Sequence, residues 1–250
     1  AAIGTLIARF SMLIFIIFYL KLHKKLSFYV KSFFPKKIIS SHIKKIITLG
    51  FPSALHSFFE VGFFLSAVFL SGLIGKNAQA ANQIALNLST MTFMVALGVG
   101  VAAMIRVGNQ RGRMDFRKLR EVAISTFVLI FLVDVIFCSI FLTFNDILPY
   151  LYLDPSNLEN IVDVSEVISI ASKLLIVAGV FQVFDGLQAV VLGALRGMQD
   201  VNIPALIIFF SYVLLGFPTS YFLGFYTELS IVGIWIGLLT GLFSSSLFLF

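Results

Sequence analysis

Three carboxylates in this sequence stand where carboxylates are rare. Glu60, Asp134 and Asp185 each lie deep inside a long apolar run. An acid at the centre of a lipid bilayer costs about 3 kcal/mol or more, so such a residue reads as functional by default. Glu60 has Ser57 one turn before it and Phe64 one turn after. Asp185 has Gln182 three residues before and Gln188 three residues after. That spacing puts the three polar groups on one helical face. Gln83 and Asn87 lie one turn apart in a third run. Polar faces on three helices predict a wet central cavity. Two carboxylates in it, Glu60 and Asp185, could hold a cation through oxygen coordination. They could equally take up and release protons.

The neighbours of these acids add chemistry. Phe64 and Phe181 could stack on a cationic substrate, and Met91 could form an adaptable wall. The cavity-lining candidates are therefore Gln83, Asn87, Gln182, Gln188, Phe64, Phe181 and Met91. Counting at about 1.5 Å per residue from the outer ends of their segments puts Asp134 and Lys173 at similar depth, which predicts an intramembrane ion pair. His56, one turn before Glu60, reads as a hydrogen-bonded structural histidine or a proton shuttle. Arg9 has no assignable partner. His23, His42 and His56 form no catalytic arrangement with an acid at a membrane surface, and no catalytic residue is expected.

What positions these residues is an all-α membrane protein. Of the 250 residues, 59% are hydrophobic and 12% charged, against about 25% charged in an ordinary soluble domain. A span needs about 20 apolar residues as helix. Seven segments qualify: Ala1 to Leu20, Ile46 to Ile74, Gln79 to Val107, Leu119 to Phe144, Val164 to Leu195, Val201 to Phe225 and Ser230 to Phe250. Barrel strands alternate in segments of about 10 residues, which these continuous runs do not. Pro52 is expected to open the second helix, with Pro204 near the start of the sixth and Pro218 interrupting it. Gly193 and Gly197, and the series Gly233, Gly237, Gly241, are small-residue ridges suited to close helix packing.

The formal net charge is +6, but the positive residues cluster between spans and do not point to nucleic acid. Eight lysines lie between the first and second segments, and six basic residues, Arg106 to Arg120, cluster where the third ends and the fourth begins. The connection 145–163 has no Lys or Arg. The positive-inside rule then puts the basic connections and the C-terminus in the cytoplasm. Three parts are expected: 1–20 as the last helix of an otherwise missing N-terminal lobe, 21–45 as a basic linker, and 46–250 as a six-helix lobe. The stretch Lys31 to Lys45 could lie along the anionic inner leaflet. Both ends fall inside apolar runs, and the expectation is a piece of a longer protein. Its single cysteine, Cys138, offers no disulfide framework.

Several local patterns resemble one transporter family. They are Gln83-Ile84-Ala85-Leu86-Asn87, then Arg106-Val107-Gly108-Asn109 with Gly112, then Phe181-Gln182-Val183-Phe184-Asp185-Gly186-Leu187-Gln188, then Gly193-Ala194-Leu195-Arg196-Gly197, and Gly233-Ile234-Trp235-Ile236-Gly237. Together they resemble the multidrug and toxic compound extrusion (MATE) family, from its sixth to its twelfth helix. The resemblance implies twelve helices in two six-helix lobes. It implies export of organic cations or amphipathic drugs in exchange for sodium or protons, with no other cofactor. It implies a bacterial cytoplasmic (inner) membrane and, as partners, the lipid bilayer, small organic cations and the N-terminal lobe. Acids at Glu60 and Asp185 correspond to the cation site of sodium-coupled members, some of which carry a tyrosine where this chain has Phe181. The alternative is a lipid-linked oligosaccharide flippase of related architecture, which calls for a more basic cavity.

Overall fold

The computed structural model describes residues 2–23, 39–153 and 161–250, and their regular structure is helical throughout. Most of the lysine-rich linker, including Lys31 to Lys37, lies outside the described residues. The helices are α1 (Ala2–Leu22), α2 (Ser40–Ile74), α3 (Lys76–Gly112), α4 (Phe116–Thr143), α5 (Ile161–Gly197), α6 (Asn202–Phe209), α7 (Phe217–Phe225) and α8 (Ser230–Leu249). A 3-10 turn, Leu148–Leu151, follows α4, and a π-helical segment, Phe210–Gly216, joins α6 to α7. Seven helical stretches are long and apolar enough to cross a membrane, with α6, the π segment and α7 forming one of them. The chain divides into two compact units, residues 1–47 and 48–250.

Several spans are longer than bilayer thickness requires, and their ends depart from the sequence reading. Pro52 does not open a helix but lies inside α2. Between α2 and α3 stands only Gly75, at φ 156° and ψ 170°, a region essentially closed to residues with a Cβ. Helix α4 begins at a side-chain cap: the Asp115 carboxylate accepts from the Lys118 backbone N–H at 3.1 Å. That satisfies one of the orphan donors of the first turn. In the sixth span, Pro218 removes a backbone donor. The seven residues ending at Gly216 wind as a π-helix, and the Phe217 N–H reaches the Tyr212 carbonyl five residues back.

Within residues 48–250, α5 is the central element. It runs parallel to α3, with Gly100 against Ala189 and Gly193, and Gly108 against Gly197. A Cβ on Gly100 would stand 2.8 Å from the Ala189 carbonyl oxygen, so the backbones meet because no side chain intervenes. Against α4 it is antiparallel. Gly179 meets Phe141, Gly186 meets Asp134, and Ile130 packs with Val190. Helix α8 lies antiparallel to the π segment and α7. Its ridge of Gly233, Gly237 and Gly241 touches Leu223, Ser220 and Gly216 in turn.

Trp235, Tyr212 and Phe181 are the largest fully buried side chains. Phe181 meets Trp235 edge-on at 5.5 Å, and Phe63 stacks on Tyr212 at 4.6 Å. The indole N–H of Trp235 donates to Asn82 Oδ1 at 2.9 Å, so the buried polar tip is satisfied.

Candidate functional site

Helices α2, α3 and α5 line an open cavity of about 520 Å³. Glu60 reaches it from α2 and Asp185 from α5. Of the other predicted lining residues, Gln83, Asn87, Phe64 and Phe181 are present in its wall. Phe64 and Phe181 meet edge-on at 6.0 Å and form an aromatic corner beside the acids. The lining residues include two carboxylates and no Lys, Arg or His. An acidic pair in an apolar, aromatic wall is suited to a cation that brings its own apolar surface.

Three predicted lining residues stand elsewhere. Gln182 and Gln188 flank Asp185 on α5, but each is buried and turned to a neighbouring helix. The Thr92 hydroxyl donates to Gln182 Oε1 at 2.7 Å. Gln188 Nε2 donates to the Tyr212 hydroxyl at 2.6 Å, and Ser245 donates to Gln188 Oε1. Because α5 is surrounded, its polar face is divided between bonding to α3, bonding to the sixth and seventh spans, and the cavity. Met91 is 66% exposed and faces away from the cavity.

Asp134 and Lys173 do not pair. Asp134 is buried against Gly186, where any side chain would overlap its carboxylate. Lys173 is exposed and shares a separate cavity with Asn145 and Asp146, beyond the end of α4. The 13 residues from Lys173 to Gly186 span about 20 Å of α5 at 1.5 Å per residue. Depth counted from the helix ends failed because those ends are not level: Gly179 already meets Phe141 near the end of α4, and α5 begins far beyond it at Ile161. Asp134 instead lies beside the turn carrying Asp185, within electrostatic reach of it. Asp134 Oδ2 and Asp185 Oδ1 are buried without a hydrogen-bond partner. Among the described residues no group of three or more His, Cys, Asp or Glu side chains comes together as a metal site. Any sodium ion here would rest on two carboxylates plus neutral oxygens such as Asn87 or the buried, unpartnered Ser89 hydroxyl.

Sequence reasoning missed Ser89, Thr90 and Phe93 in the same wall. Extending the Gln83–Asn87 periodicity by one more turn reaches Thr90, so that residue was findable. It also missed the partner of His56. Arg196, at the end of α5, donates from Nη2 to His56 Nδ1 at 2.9 Å, across 140 positions of sequence. Glu60 Oε2 stands 3.8 Å from the same nitrogen. No local pattern announces that contact.

Comparison with known proteins accords with this architecture. A protein of Xylella fastidiosa (strain Temecula1 / ATCC 700964) named "Probable multidrug resistance protein NorM" is 35% identical over 209 residues, covering 84% of this chain and 43% of the relative. The "Multidrug resistance protein NorM" of Burkholderia vietnamiensis is 39% identical over 207 residues, covering 80% of this chain and 42% of the relative. The chain thus spans less than half the length of these curated relatives. The solved structure of the eukaryotic MATE transporter AtDTX14 superposes with a TM-score of 0.79 at 22% identity, over 93% of this chain and 50% of that one. The MatE family's sequence model matches residues 52–222. This match takes in both cavity acids, all of α5 and α2 from Pro52 onward; the chain belongs to the MatE family, whose members are integral membrane transporters and not enzymes.

Proposed function

We propose that the full-length protein is a secondary active antiporter that exports organic cations or amphipathic drugs in exchange for sodium ions or protons. The observation that carries this reading is the cavity shared by Glu60 and Asp185, with aromatic walls and no lining cation. Relatives named as multidrug resistance proteins support the same substrate class. Glu60 and Asp185 bind the coupling ion, and Phe64 and Phe181 face the drug. Ion and drug compete for the same negative charge, so each weakens the other by the same factor. Alternating access follows from rocking of this lobe against an N-terminal lobe. The chain sits in a bacterial inner membrane with its basic connections and C-terminus in the cytoplasm. A flippase for anionic, phosphate-linked oligosaccharides would need basic groups where these acids stand.

The test is ethidium efflux by the full-length protein in vesicles under an imposed sodium or proton gradient. Glu60→Gln and Asp185→Asn should each lower gradient-driven efflux at least about tenfold, the loss expected when a buried charge interaction worth about 1.4 kcal/mol or more disappears. Efflux at the wild-type rate in both variants would remove the assignment.

A further inference from the structure

Lys173, which does not reach Asp134, opens instead into a cavity of about 440 Å³ in the first half of α5. Small-molecule sites commonly measure about 300–1,000 Å³. The wall carries charges of both signs. Lys173, Ser169 and the buried Ser172 reach it from α5, and Asn145 and Asp146 reach it from the connection after α4. Among the described residues neither Lys173 nor Asp146 makes an ion pair. The two acids of the same end of α5 are engaged elsewhere. Lys76 donates to Asp163 at 2.6 Å, and Asn77 donates to Glu166 at 2.6 Å. A cation and an anion thus face one space without neutralising each other. Such an arrangement is complementary to a ligand that carries both charges.

The position of the cavity says what kind of ligand that is. Ile176, in its wall, and Asp185 are about two and a half turns apart at 3.6 residues per turn. The site is therefore on the opposite side of α5 from the acidic cavity. The exposed stripe of α5 changes along its length. Ser169 and Lys173 are exposed, and further into the span Ile176 and Val180 are exposed in their place. Tyr150, in the cavity wall, and Tyr152 are exposed beside Ile147 and Leu151. Exposed tyrosines among apolar residues at the end of a span mark the headgroup level of a bilayer. A two-signed polar recess at that level, continuous with an apolar stripe below it, matches the plan of a phospholipid. The connection 145–163 has no Lys or Arg, which puts this end of α5 at the outer leaflet.

We propose that this cavity binds a zwitterionic phospholipid with a primary amine, of the phosphatidylethanolamine class. The Lys173 ammonium and the Ser169 and Ser172 hydroxyls donate to the phosphate. Asp146 and the side-chain oxygen of Asn145 accept from the lipid ammonium. The acyl chains lie along Ile176 and Val180. A purely anionic headgroup would leave Asp146 facing like charge. A choline headgroup has no N–H to give either oxygen. The site needs no part of the exchange mechanism and depends only on the membrane setting.

The experiment titrates full-length protein in detergent with short-chain phosphatidylethanolamine, phosphatidylcholine and phosphatidylglycerol, and with free phosphoethanolamine. Bound molecules are counted by native mass spectrometry. The variants are Lys173→Gln, Lys173→Arg and Asp146→Asn. Lys76→Gln controls for the loss of a lysine at the same end of the bundle. Lys173 and Asp146 are both exposed, so the fold tolerates each change, and circular dichroism verifies the helix content. The wild type should bind phosphatidylethanolamine at least about tenfold more tightly than the other three probes. Lys173→Gln should weaken that binding at least about tenfold, the loss expected with one charge-assisted hydrogen bond, and Lys173→Arg should retain it. Asp146→Asn should erase the preference over phosphatidylcholine and leave phosphatidylcholine binding unchanged. Equal binding of all three lipids would overturn the site. So would phosphatidylethanolamine binding indifferent to Lys173→Gln and Asp146→Asn, or weakened as much by Lys76→Gln. A preference for phosphatidylglycerol would overturn the amine assignment. Free phosphoethanolamine bound as tightly as the lipid would overturn the bilayer as its source.

Discussion

The parallel crossing of α3 and α5 leads to a quantitative prediction, because it fixes the distance between two walls of the cavity. In Gly100→Ala the new Cβ would sit 2.8 Å from the Ala189 carbonyl oxygen. Ordinary contact begins at 3.4 Å, so the helices must part by 0.6 Å. The obstructing atom is helix backbone and has no rotamer to change, so α5 must move as a body. A gap of about 0.5–1 Å forfeits a quarter to a half of each dispersion contact across a packed seam. Overpacking of this kind costs about 1–3 kcal/mol. At about 2–4 °C per kcal/mol for a domain of this size, the melting temperature should fall by about 2–12 °C. Gly98 serves as the control, because a Cβ there meets nothing within 4 Å. Gly98→Ala should leave stability unchanged or raise it by up to about 1 kcal/mol through helix propensity. Thermal unfolding of both variants in detergent decides the matter. A Gly100→Ala protein as stable as wild type, or a Gly98→Ala protein destabilised as much, would refute the account of the seam.

Other consequences are separately measurable. Trp235→Phe removes the indole N–H and leaves buried Asn82 Oδ1 without its donor; the stability loss should be about 1–3 kcal/mol, read as a lower chemical-denaturation midpoint. Since Trp235 is the chain's single tryptophan, emission in full-length protein with any other tryptophans replaced should be blue-shifted when folded and move to the red on unfolding. Tyr212→Phe strands the Gln188 Nε2 donor and should cost a similar amount, read the same way. The backbone N–H of Lys118 holds the Asp115 carboxyl below its ordinary value of 3.8. The cap's contribution is therefore fully present above that value and is lost as pH falls through the lower folded value. Relative to Asp115→Asn, whose cap does not titrate, amide protection in the first turn of α4 should fall only in that acid window.

The membrane class, the seven spans and the glycine ridges were legible because bilayer thickness and helical period translate directly into sequence spacing. Glu60 and Asp185 were legible for a related reason, since a carboxylate is too costly in a long apolar run to persist there without a task. Packing around α5 was not legible. The spacing of Gln182, Asp185 and Gln188 correctly indicates one polar face. It does not say that Thr92 and Tyr212 stand on either side to take the two amides. The Asp134–Lys173 expectation assumed that the facing ends of α4 and α5 lie level, and they do not. Arg196 reads in sequence as a topogenic charge, and only tertiary contact brings it to His56.

Asp134 and Gly186 also carry a consequence for inheritance. The carboxylate of Asp134 fills the volume that Gly186 leaves vacant, so position 186 cannot gain a side chain while Asp134 is present. A lineage that gained alanine at 186 first would meet a steric barrier, whereas one that first shortened residue 134 would open a void that alanine could later fill. Substitutions at these two sites, 52 residues apart, should therefore arrive in a fixed order.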